Sequence, residues 1–356
     1  MYTLKDIAKK AGVSQITVSR VVNNYPHISE KTKQKVMKVI MDIDYTPNQV
    51  ARSLVTKKSK TIGLLLSNIC NPFYPSVVLG AEHRARELGY SVIICNAHTY
   101  EIAMHNLDVL IQKQVDSFII TSAEFDSDKS ESDMKFYKRI VELSNNFEKK
   151  DKFFCFINNC IGNVGRISKV FGDNLLGGKM ATEHLCELGH RNIALITGRY
   201  EANRTEDDTD FWSLRNEGYK SVLEKYGIPF NPNNVFVWSE DEAEGGYYSA
   251  KKILELTPRP TAVFAANDTY AIGAISAFHE AGLKLPEDIS VVGLDGIDEG
   301  QIIYPKLTTV SLQREELGRI AVEHLVKRIN HECSAQDIIV KPTLKIGQSA
   351  VQPMLL

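Results

Sequence analysis

The 356-residue sequence contains no uninterrupted apolar stretch of about 18 residues, the length that a membrane-spanning helix needs. The opening segment MYTLKDIAKK is charged and lacks the apolar core of a secretory signal peptide. Cysteine is scarce and forms no C-x-x-C pair of the kind that indicates a metal or redox site. We therefore expect a cytoplasmic chain without a membrane segment, whose cysteines are mostly buried free thiols. They are Cys70, Cys95, Cys155, Cys160, Cys186 and Cys333.

The motifs of nucleotide-dependent enzymes are also missing. The sequence has no G-x-G-x-x-G and no P-loop lysine, and GNVG at 162–165 is not followed by a helix pattern. Its Asp and His residues form no recognisable triad. We expect no catalytic residues, no metal ion and no cofactor, with an α/β enzyme as a remote alternative.

Charge is distributed unevenly behind a net charge of −2. Residues 1–60 hold 12 Lys and Arg against 4 Asp and Glu, whereas the remainder holds 30 against 40. A basic head on an acidic body is typical of a phosphate-binding module joined to a domain that does not bind nucleic acid. A solvated lysine-rich face is the alternative that charge alone leaves open.

Residues 4–23, LKDIAKKAGVSQITVSRVVN, show the pattern of two short helices joined by a tight turn at Gly12. Three residues of the first helix recur at helical spacing and should be buried. They are Ile7, Ala8 and Ala11. Two helices joined in this way form the helix-turn-helix, which lays its second helix in the major groove of DNA.

The second of these helices has two distinct faces. Ser14 is placed to cap it, and Val18 and Val22 should lie on its buried side. The opposite face carries Ile16, Arg20 and Asn23. A third helix follows, which Ser29 can cap and Pro47 stops, with an apolar stripe of Val36, Val39, Ile40 and Ile43.

From Thr61 onward, short apolar runs alternate with amphipathic segments, and the same order starts again after residue 166. Near-continuous apolar strands such as NIALITG indicate buried parallel sheets covered by helices. Two such series predict two lobes, with a ligand cleft beyond the carboxyl ends of the strands. The helix patterns cover residues 73–88, 101–113, 132–146, 175–188, 213–226, 243–255 and 268–281.

In its order of elements, the sequence closely resembles the LacI/GalR family of bacterial transcriptional regulators over essentially its whole length. The segments AGVSxxTVSRVVN and YxPNxVARSL carry the resemblance at the N-terminus. The body adds NPFY (71–74), EHLCELGHRNIALITG (183–198), RNEGY (215–219), AANDTYAIGA (265–274), ISVVGLD (289–295) and LTTV (307–310). The resemblance implies an N-terminal all-α helix-turn-helix domain and a periplasmic-binding-protein-like effector domain of two α/β lobes with parallel sheets and three crossovers.

The resemblance assigns base reading to the start of the second helix. Arg20 can pair with guanine, Gln15 with adenine, and Ile16 can pack on a thymine methyl. The alternatives are core packing for Ile16 and an ordinary helix-start polar group for Gln15. Short polar groups suited to phosphate oxygens are Thr17, Ser19, Asn23, His27 and Ser29. His27 could instead be an ordinary surface histidine and Ser29 only a cap.

Residues 48–54 match the hinge helix of the family, which folds on DNA and pairs with a second copy in the minor groove. Leu54 occupies the position of a leucine wedge that kinks the duplex. Val50, Ala51 and Arg52 complete the contact set implied for this segment, followed by the basic linker TKKSK. Pairing of two hinges implies a homodimer on palindromic operator DNA.

The resemblance also implies a small ligand, expected to be a sugar or sugar derivative, enclosed by polar and aromatic groups of both lobes. Flat aromatic faces suit the C–H faces of a sugar ring, and Asp and Arg suit its hydroxyls. Core packing is the alternative for each aromatic residue, and a surface charge is the alternative for Arg215. The implied residues are Asn71, Phe73, Tyr74, Asn158, Arg215, Trp238, Asn267, Asp268 and Asp295.

Departures from the family pattern alter this expected site. Asn158 and Asn159 stand where relatives often have Asp-Arg, Gly296 follows Asp295 where a second Asp is usual, and Gly347 replaces an Arg. The segments 124–151 and 198–215 are longer than usual. We expect Trp212 and the acidic run in the second segment to line or cover the cleft.

The expected domains are a helix-turn-helix domain at 1–46, a hinge and linker at 47–60, and an effector and dimerisation domain at 61–356. Its first lobe should comprise about 61–165 and 296–325, and its second about 166–295 and 326–350. The expected function is ligand-controlled repression of carbohydrate-utilisation genes. Control by a partner protein or by a purine-type corepressor stays open, and a ligand receptor is a remote alternative.

Overall fold

The computed structural model describes residues 2–22, 25–43, 58–121, 131–158, 166–199, 210–238 and 242–353. The chain divides into two compact units, Met1–Ser59 and Lys60–Leu356. The hinge segment 48–54, with Val50, Ala51, Arg52 and Leu54, and the expected DNA contact Asn23 lie outside the described residues.

The first unit consists of three helices around a small apolar core. They are α1 (Leu4–Ala11), α2 (Gln15–Val22) and α3 (Glu30–Asp42). Ile7, Val18 and Val36 are completely buried between them. Val21 is also buried, whereas Val22 packs only partly against this core, so the expected pairing of Val18 with Val22 is wrong by one position. Val21 lies three residues after Val18, a spacing that also keeps two side chains on one helical face.

The second unit contains two six-stranded sheets, each forming one lobe with its helices. The first sheet has the order β11-β5-β4-β3-β1-β2 and is entirely parallel. Its strands are β1 (Thr61–Leu66), β2 (Ser91–Asn96), β3 (Ser117–Thr121), β4 (Phe153–Ile157), β5 (Ser168–Gly172) and β11 (Asp337–Val340).

The second sheet has the order β12-β10-β9-β8-β6-β7 and is parallel except for the antiparallel edge strand β12. Its strands are β6 (Ile193–Thr197), β7 (Val235–Val237), β8 (Ala262–Ala265), β9 (Ser290–Asp295), β10 (Thr308–Ser311) and β12 (Thr343–Lys345). Central strands such as β9 are buried along their whole length, which explains their continuous apolar sequence.

Helices cover both sheets. The first lobe carries α4 (Tyr74–Glu87), α5 (Tyr100–Gln112), α6 (Glu131–Phe147) and α11 (Arg314–Ile329). The second carries α7 (Asn174–Glu187), α8 (Phe211–Lys225), α9 (Glu242–Leu254) and α10 (Asp268–Glu280). The seven helix patterns of the body match these bounds within one or two residues. Helix α11 and the strands β10, β11 and β12 were not predicted from the sequence.

Three strands lie in a different lobe from the one expected. Strand β5 was expected to open the second lobe, yet it pairs with β4 in the first sheet. Strand β10 belongs to the second sheet, and β11 belongs to the first. A continuous apolar run identifies a buried strand but not the sheet that it joins, so the crossovers could not be located from the pattern. The chain nevertheless passes between the lobes three times, as expected.

Paired glycines let helices approach each other closely in both lobes. A Cβ atom on Gly80 of α4 would lie 1.9 Å from the carbonyl oxygen of Glu315, and one on Gly318 of α11 would lie 1.9 Å from that of Val77. Gly178 and Gly218 join α7 to α8 in the same way. Larger residues at these positions would force the helices apart.

The expected burial of most cysteines is not observed among the described residues. Cys155 and Cys186 are buried, Cys95 and Cys333 are partly exposed, and Cys70 is exposed. Within the described ranges, no helix is both long and apolar enough to span a membrane.

Candidate functional site

The exposed face of α2 is the candidate DNA-reading surface. Ile16 is 67% exposed, although an apolar side chain gains by burial. Gln15 and Arg20 are exposed on the same helix, and Thr17 and Ser19 are partly exposed. Because Ile16 lies away from Val18 and Val21, it is not a core residue of the described unit.

Local hydrogen bonds fix both ends of the turn that precedes α2. Gly12 ends α1 with a φ of 58°, a left-handed conformation that glycine adopts without strain. The Ser14 hydroxyl accepts a hydrogen bond from the Thr17 amide at 3.1 Å, which confirms the expected cap, and lies 2.9 Å from the Thr17 hydroxyl. The sequence thereby presents the first turn of α2 in a defined orientation.

The residues around the start of α3 are also exposed. The Ser29 hydroxyl accepts a hydrogen bond from the Thr32 amide at 3.3 Å, so Ser29 does cap α3. His27 is exposed and adopts a φ of 78°. The Arg20 guanidinium lies 5.8 Å from the ring centre of Tyr25, an exposed aromatic residue that was not predicted to belong to this surface.

In the second lobe, a buried ion pair lies at the carboxyl ends of the strands. Arg215 is 1% exposed, and its Nη2 donates to Asp295 Oδ1 at 2.7 Å. Its Nε donates to Asn174 Oδ1 at 2.9 Å and its Nη1 to the carbonyl oxygen of Ala266 at 2.6 Å. An arginine held by three acceptors in a fixed plane is preorganised for hydroxyl or carboxylate groups of a ligand.

Two aromatic rings complete the surroundings of this arginine. The guanidinium carbon of Arg215 lies 5.1 Å from the ring centre of Phe211 and 5.5 Å from that of Trp212. All three belong to α8, which Asp210 caps by accepting the Ser213 amide at 2.8 Å. Trp212 is 9% exposed, so it forms part of the buried wall beside Arg215.

Asp295 ends β9 in an unusual backbone conformation. Its φ is 123°, outside the range that a non-glycine residue ordinarily adopts, and Gly296 follows with a φ of 76°. Burial raises the pKa of the Asp295 carboxyl above its ordinary value, and the Arg215 guanidinium opposes that rise. Strained residues are enriched at binding sites because the surrounding structure holds them in place.

Asn267 and Asp268 lie close to this pair but bond to the protein. Asn267 Oδ1 accepts the Tyr270 amide at 2.8 Å and caps α10. Asp268 is completely buried, with Oδ2 accepting the Ile297 amide at 2.8 Å and Oδ1 accepting the Thr309 hydroxyl at 2.5 Å. Each oxygen therefore accepts a hydrogen bond from the protein, and the expected ligand contact of Asp268 stays a prediction. Within the protein, this carboxylate supports the turn after Asp295.

Burial is also the main influence on the ionisation of Asp268. Together with the nearby Asp295 carboxylate, it raises the pKa of Asp268 to about 7. The hydrogen bonds from Thr309 and from the backbone of Ile297 and Gly296 act in the opposite direction. The Asp268 carboxyl therefore lies beneath the turn that carries the candidate ligand contact Asp295.

In the first lobe, the NPFY segment forms a compact turn that leads into α4. Asn71 Oδ1 accepts the Phe73 amide at 2.9 Å, and Asn71 itself is partly exposed. Phe73 and Tyr74 are buried and meet edge to face, with ring centres 5.4 Å apart. Both rings pack in the first-lobe core, so the aromatic pair supports this turn.

Two polar groups at strand ends have no hydrogen-bond partner among the described residues. Asn158 follows β4, is 5% exposed, and has an unpaired Oδ1 atom. Trp238 follows β7, stacks on Tyr248 with ring centres 5.5 Å apart, and has an unpaired indole Nε1 atom. Buried polar groups usually have partners, so these two atoms are candidates for contact with a bound molecule.

Several members of this site were not predicted from the sequence. Asn174 follows β5 directly after the helix cap Asp173, a strand-end position that could have drawn attention to it. For Phe211 and Tyr248, the sequence offers nothing beyond their aromatic character that would assign them to this site. No group of three or more His, Cys, Asp or Glu side chains suited to a metal ion occurs within the described ranges.

A helix-turn-helix unit joined to a two-lobed α/β unit with polar groups at its strand ends defines the class of DNA-binding regulators that respond to small molecules. Residues 3–48 match the family model of bacterial regulatory proteins of the lacI family, and residues 182–350 match the periplasmic binding protein-like domain. The chain belongs to the lacI family of bacterial regulatory proteins.

Curated relatives cover nearly the whole chain. The ribose operon repressor of Haemophilus influenzae is 33% identical over 351 residues, covering 98% of each chain. That of Escherichia coli is also 33% identical, covering 100% of this chain and 98% of its own. The HTH-type transcriptional repressor PurR of Pasteurella multocida is 34% identical and covers 98% of each chain.

Solved structures agree with this assignment. The lac repressor dimer bound to operator and the anti-inducer ONPF has a TM-score of 0.78 and 27% identity, covering 98% of this chain and 99% of that one. A LacI family transcriptional regulator from Enterococcus faecium with bound ribose has a TM-score of 0.66 and 29% identity, covering 82% and 99%. The two-lobed fold and the family expected from the sequence are confirmed.

Proposed function

We propose that this protein is a dimeric repressor of carbohydrate-utilisation genes whose affinity for a palindromic operator falls when a sugar binds between its lobes. The observation that carries the proposal is the buried Arg215–Asp295 pair at the strand ends of the second lobe, with a separation of 2.7 Å. Such a pair offers both a donor fork and a carboxylate to the hydroxyl groups of a small polar ligand.

Ribose or a related pentose is the first sugar to test. The two relatives described as ribose operon repressors align over nearly the whole chain, and the Enterococcus faecium regulator contains bound ribose. In this chain, the contacts proposed for the sugar are Arg215, Asp295, the Asn158 amide and the Trp238 indole. Asn71, Phe73, Tyr74 and Asn267 shape the surrounding walls. The Asp268 carboxylate stabilises the turn after Asp295 by accepting the Ile297 amide.

DNA reading is proposed for the exposed face of α2. Gln15, Ile16 and Arg20 would contact base edges, while Thr17, Ser19, His27 and Ser29 would lie near phosphates. The hinge residues Val50, Ala51, Arg52 and Leu54 and the contact Asn23 stay proposals from the sequence. Such a protein would act in the cytoplasm, on DNA, and would have no catalytic activity of its own.

The DNA-reading surface is tested with an operator selected from a random duplex library by the purified protein. R20K removes the bidentate fork, with an expected affinity loss of about 1–3 kcal/mol. I16A removes an apolar contact with a base and should also weaken operator binding. The matched control is M41A, because Met41 is 74% exposed on α3 of the same unit. Equal operator affinity in all four proteins would contradict this assignment.

The ligand is tested by thermal melting against sugars, sugar phosphates, polyols and purines. A ligand at ~100 times its dissociation constant should stabilise the folded protein by roughly 2.7 kcal/mol. Stabilisation by ribose, abolished in R215M, supports the proposed site. A shift with a purine alone would favour the corepressor alternative suggested by the PurR relatives. A panel without any shift would contradict the sugar proposal and make a partner protein the next candidate.

A further inference from the structure

Arg314 links the two lobes of the second unit through a buried guanidinium. It is the first residue of α11, and only 6% of it is exposed. Its Nη1 donates to the carbonyl oxygen of Pro72 at 2.9 Å, and its Nη2 donates to that of Gly296 at 2.7 Å. A third contact, to the exposed carboxylate of Asp298, is longer at 3.4 Å.

The two accepting carbonyls belong to turns in different lobes. Pro72 lies between Asn71 and Phe73, in the turn that precedes α4 of the first lobe. Gly296 immediately follows Asp295, at the carboxyl end of β9 in the second lobe. A single side chain therefore holds two backbone segments that carry proposed walls of the ligand site.

The second-lobe turn depends on such support because its backbone is strained. Asp295 has a φ of 123°, and a Cβ atom on Gly296 would lie 2.7 Å from the Cβ atom of Ser311. A strained segment persists only where its surroundings determine it. Arg314 holds the Gly296 carbonyl from one side, and Asp268 accepts the Ile297 amide from the other.

The helix that Arg314 begins continues this connection into the first lobe. Helix α11 packs against α4 with the Gly80 Cα beside the Glu315 carbonyl, and Glu315 is the residue after Arg314. Gln313, immediately before, has a φ of 56° and marks the reversal from β10 into α11. A change at the Asp295 turn would thus reach the N-terminal end of α11 directly.

We propose that Arg314 is a positioning residue for effector binding, which fixes the Asp295–Gly296 turn relative to the Asn71–Phe73 turn and couples ligand occupancy to the first lobe. This role rests on the proposed ligand site, and Arg314 is not among the ligand contacts expected from the sequence. The planar fork of arginine donates to two carbonyls at once, whereas a lysine ammonium lacks this fixed geometry.

The experiment compares wild type, R314M, R314K and D298A, each in the full-length protein. Ribose affinity is measured by calorimetry, and operator affinity is measured with and without saturating ribose. We expect R314M to weaken ribose binding about tenfold or more and to reduce the ribose effect on operator affinity to about twofold or less, against a typical coupling of about 5- to 150-fold. Operator affinity without ribose should stay within about twofold.

The other two variants separate positioning from general destabilisation. R314K keeps the charge and should recover part of the ribose affinity, though at least about threefold weaker than wild type. D298A removes the exposed partner and should match wild type. If R314M does not fold, R314K decides alone, and wild-type affinity and coupling in R314K would overturn the proposal.

A ligand-independent measurement distinguishes failure of this proposal from failure of the sugar assignment. Hydrogen exchange of the effector-free protein should become several-fold faster in both 71–77 and 295–298 in R314M or R314K, and unchanged in D298A. If wild type binds no sugar yet both segments loosen together, the link through Arg314 stands and the sugar proposal fails. If exchange, sugar affinity and coupling all match wild type in a folded R314M, the role of Arg314 is refuted.

Discussion

The backbone of Gly178 lies directly against the carbonyl group of Arg215. A Cβ atom at position 178 would be 2.3 Å from the Arg215 carbonyl oxygen, and one on Gly218 would be 2.6 Å from that of Leu175. This close contact between α7 and α8 sets the distance from Asn174 to the arginine it binds. The position of the buried Arg215 guanidinium therefore depends on two glycines, Gly178 and Gly218.

The first prediction concerns this helix contact. G178A should push α8 away and destabilise the protein by about 1–3 kcal/mol through overpacking. Displacement of Arg215 should also weaken ligand binding. Urea unfolding and calorimetry measure the two effects, and K179A on the same helix is the control. A G178A protein with wild-type stability and ligand affinity would show that the contact is less tight than the structure indicates.

The second prediction separates the structural and ligand roles of the ion pair. R215M leaves the Asp295 carboxylate buried without its partner and should destabilise the protein by about 3–5 kcal/mol. The double variant R215M/D295N removes the uncompensated charge and should regain a large part of that stability. Ligand binding should be lost in both proteins. Retained ligand affinity in the double variant would exclude the pair from the binding site.

The third prediction is a pH dependence that arises far from the ligand site. His324 on α11 is buried, and its Nε2 lies 2.7 Å from the Ser168 hydroxyl. Burial, with Arg328 and Lys327 nearby, lowers the pKa of His324 from 6.5 to about 4. Because the pKa of His324 is lower in the folded protein, the unfolded chain takes up the proton at a higher pH. The stability contributed by neutral His324 is therefore fully present above pH 6.5 and is lost as the pH falls toward 4.

The variant H324Q should therefore flatten the stability curve between pH 6.5 and about 4, relative to wild type. Over this pH range, the loss of unfolding free energy should be smaller in H324Q than in wild type, by at most about 3 kcal/mol. Urea unfolding at half-unit pH steps measures it, and H331Q is the control because His331 is exposed. Identical slopes for wild type and H324Q would place the acid sensitivity elsewhere.

The fourth prediction concerns the proposed dimer. Ile302 and Tyr304 are 85% and 77% exposed in the segment between β9 and β10. Exposed apolar residues close together commonly mark an interface between subunits. I302D/Y304D should shift the protein from dimer to monomer in sedimentation and weaken operator binding. Ile339 is 59% exposed on the edge strand β11, and I339D serves as the control. A dimeric double variant would place the interface on another surface.

Much of the fold follows from periodic patterns in the sequence. The spacing of Ile7, Ala8 and Ala11 predicts the buried face of α1, and seven of the eight described helices of the body follow from their apolar periodicity. The assignment of β5 and β11 to the first sheet could not be predicted, because partner choice depends on contacts between residues far apart in sequence.

The candidate site was predictable in its location but not in its internal bonding. Arg215 and Asp295 are 80 positions apart in the sequence. They form a pair because Asp295 ends strand β9 and Arg215 lies near the start of helix α8. By contrast, nothing in the sequence around Asp268 shows that its oxygens are occupied by Thr309 and Ile297. The role of Arg314 could not be predicted from the sequence because its two closest acceptors are backbone carbonyls, which every residue possesses.

The proposed control of operator affinity by a ligand bound between the lobes can be tested directly. The most direct test titrates wild type and R215M onto an operator selected from random duplexes, with and without a saturating sugar, starting with ribose. The sugar is expected to weaken operator binding by wild type about 5- to 150-fold and to have no effect on a folded R215M. Operator affinity that no sugar changes, in a wild-type protein that binds the operator specifically, would contradict the proposed control.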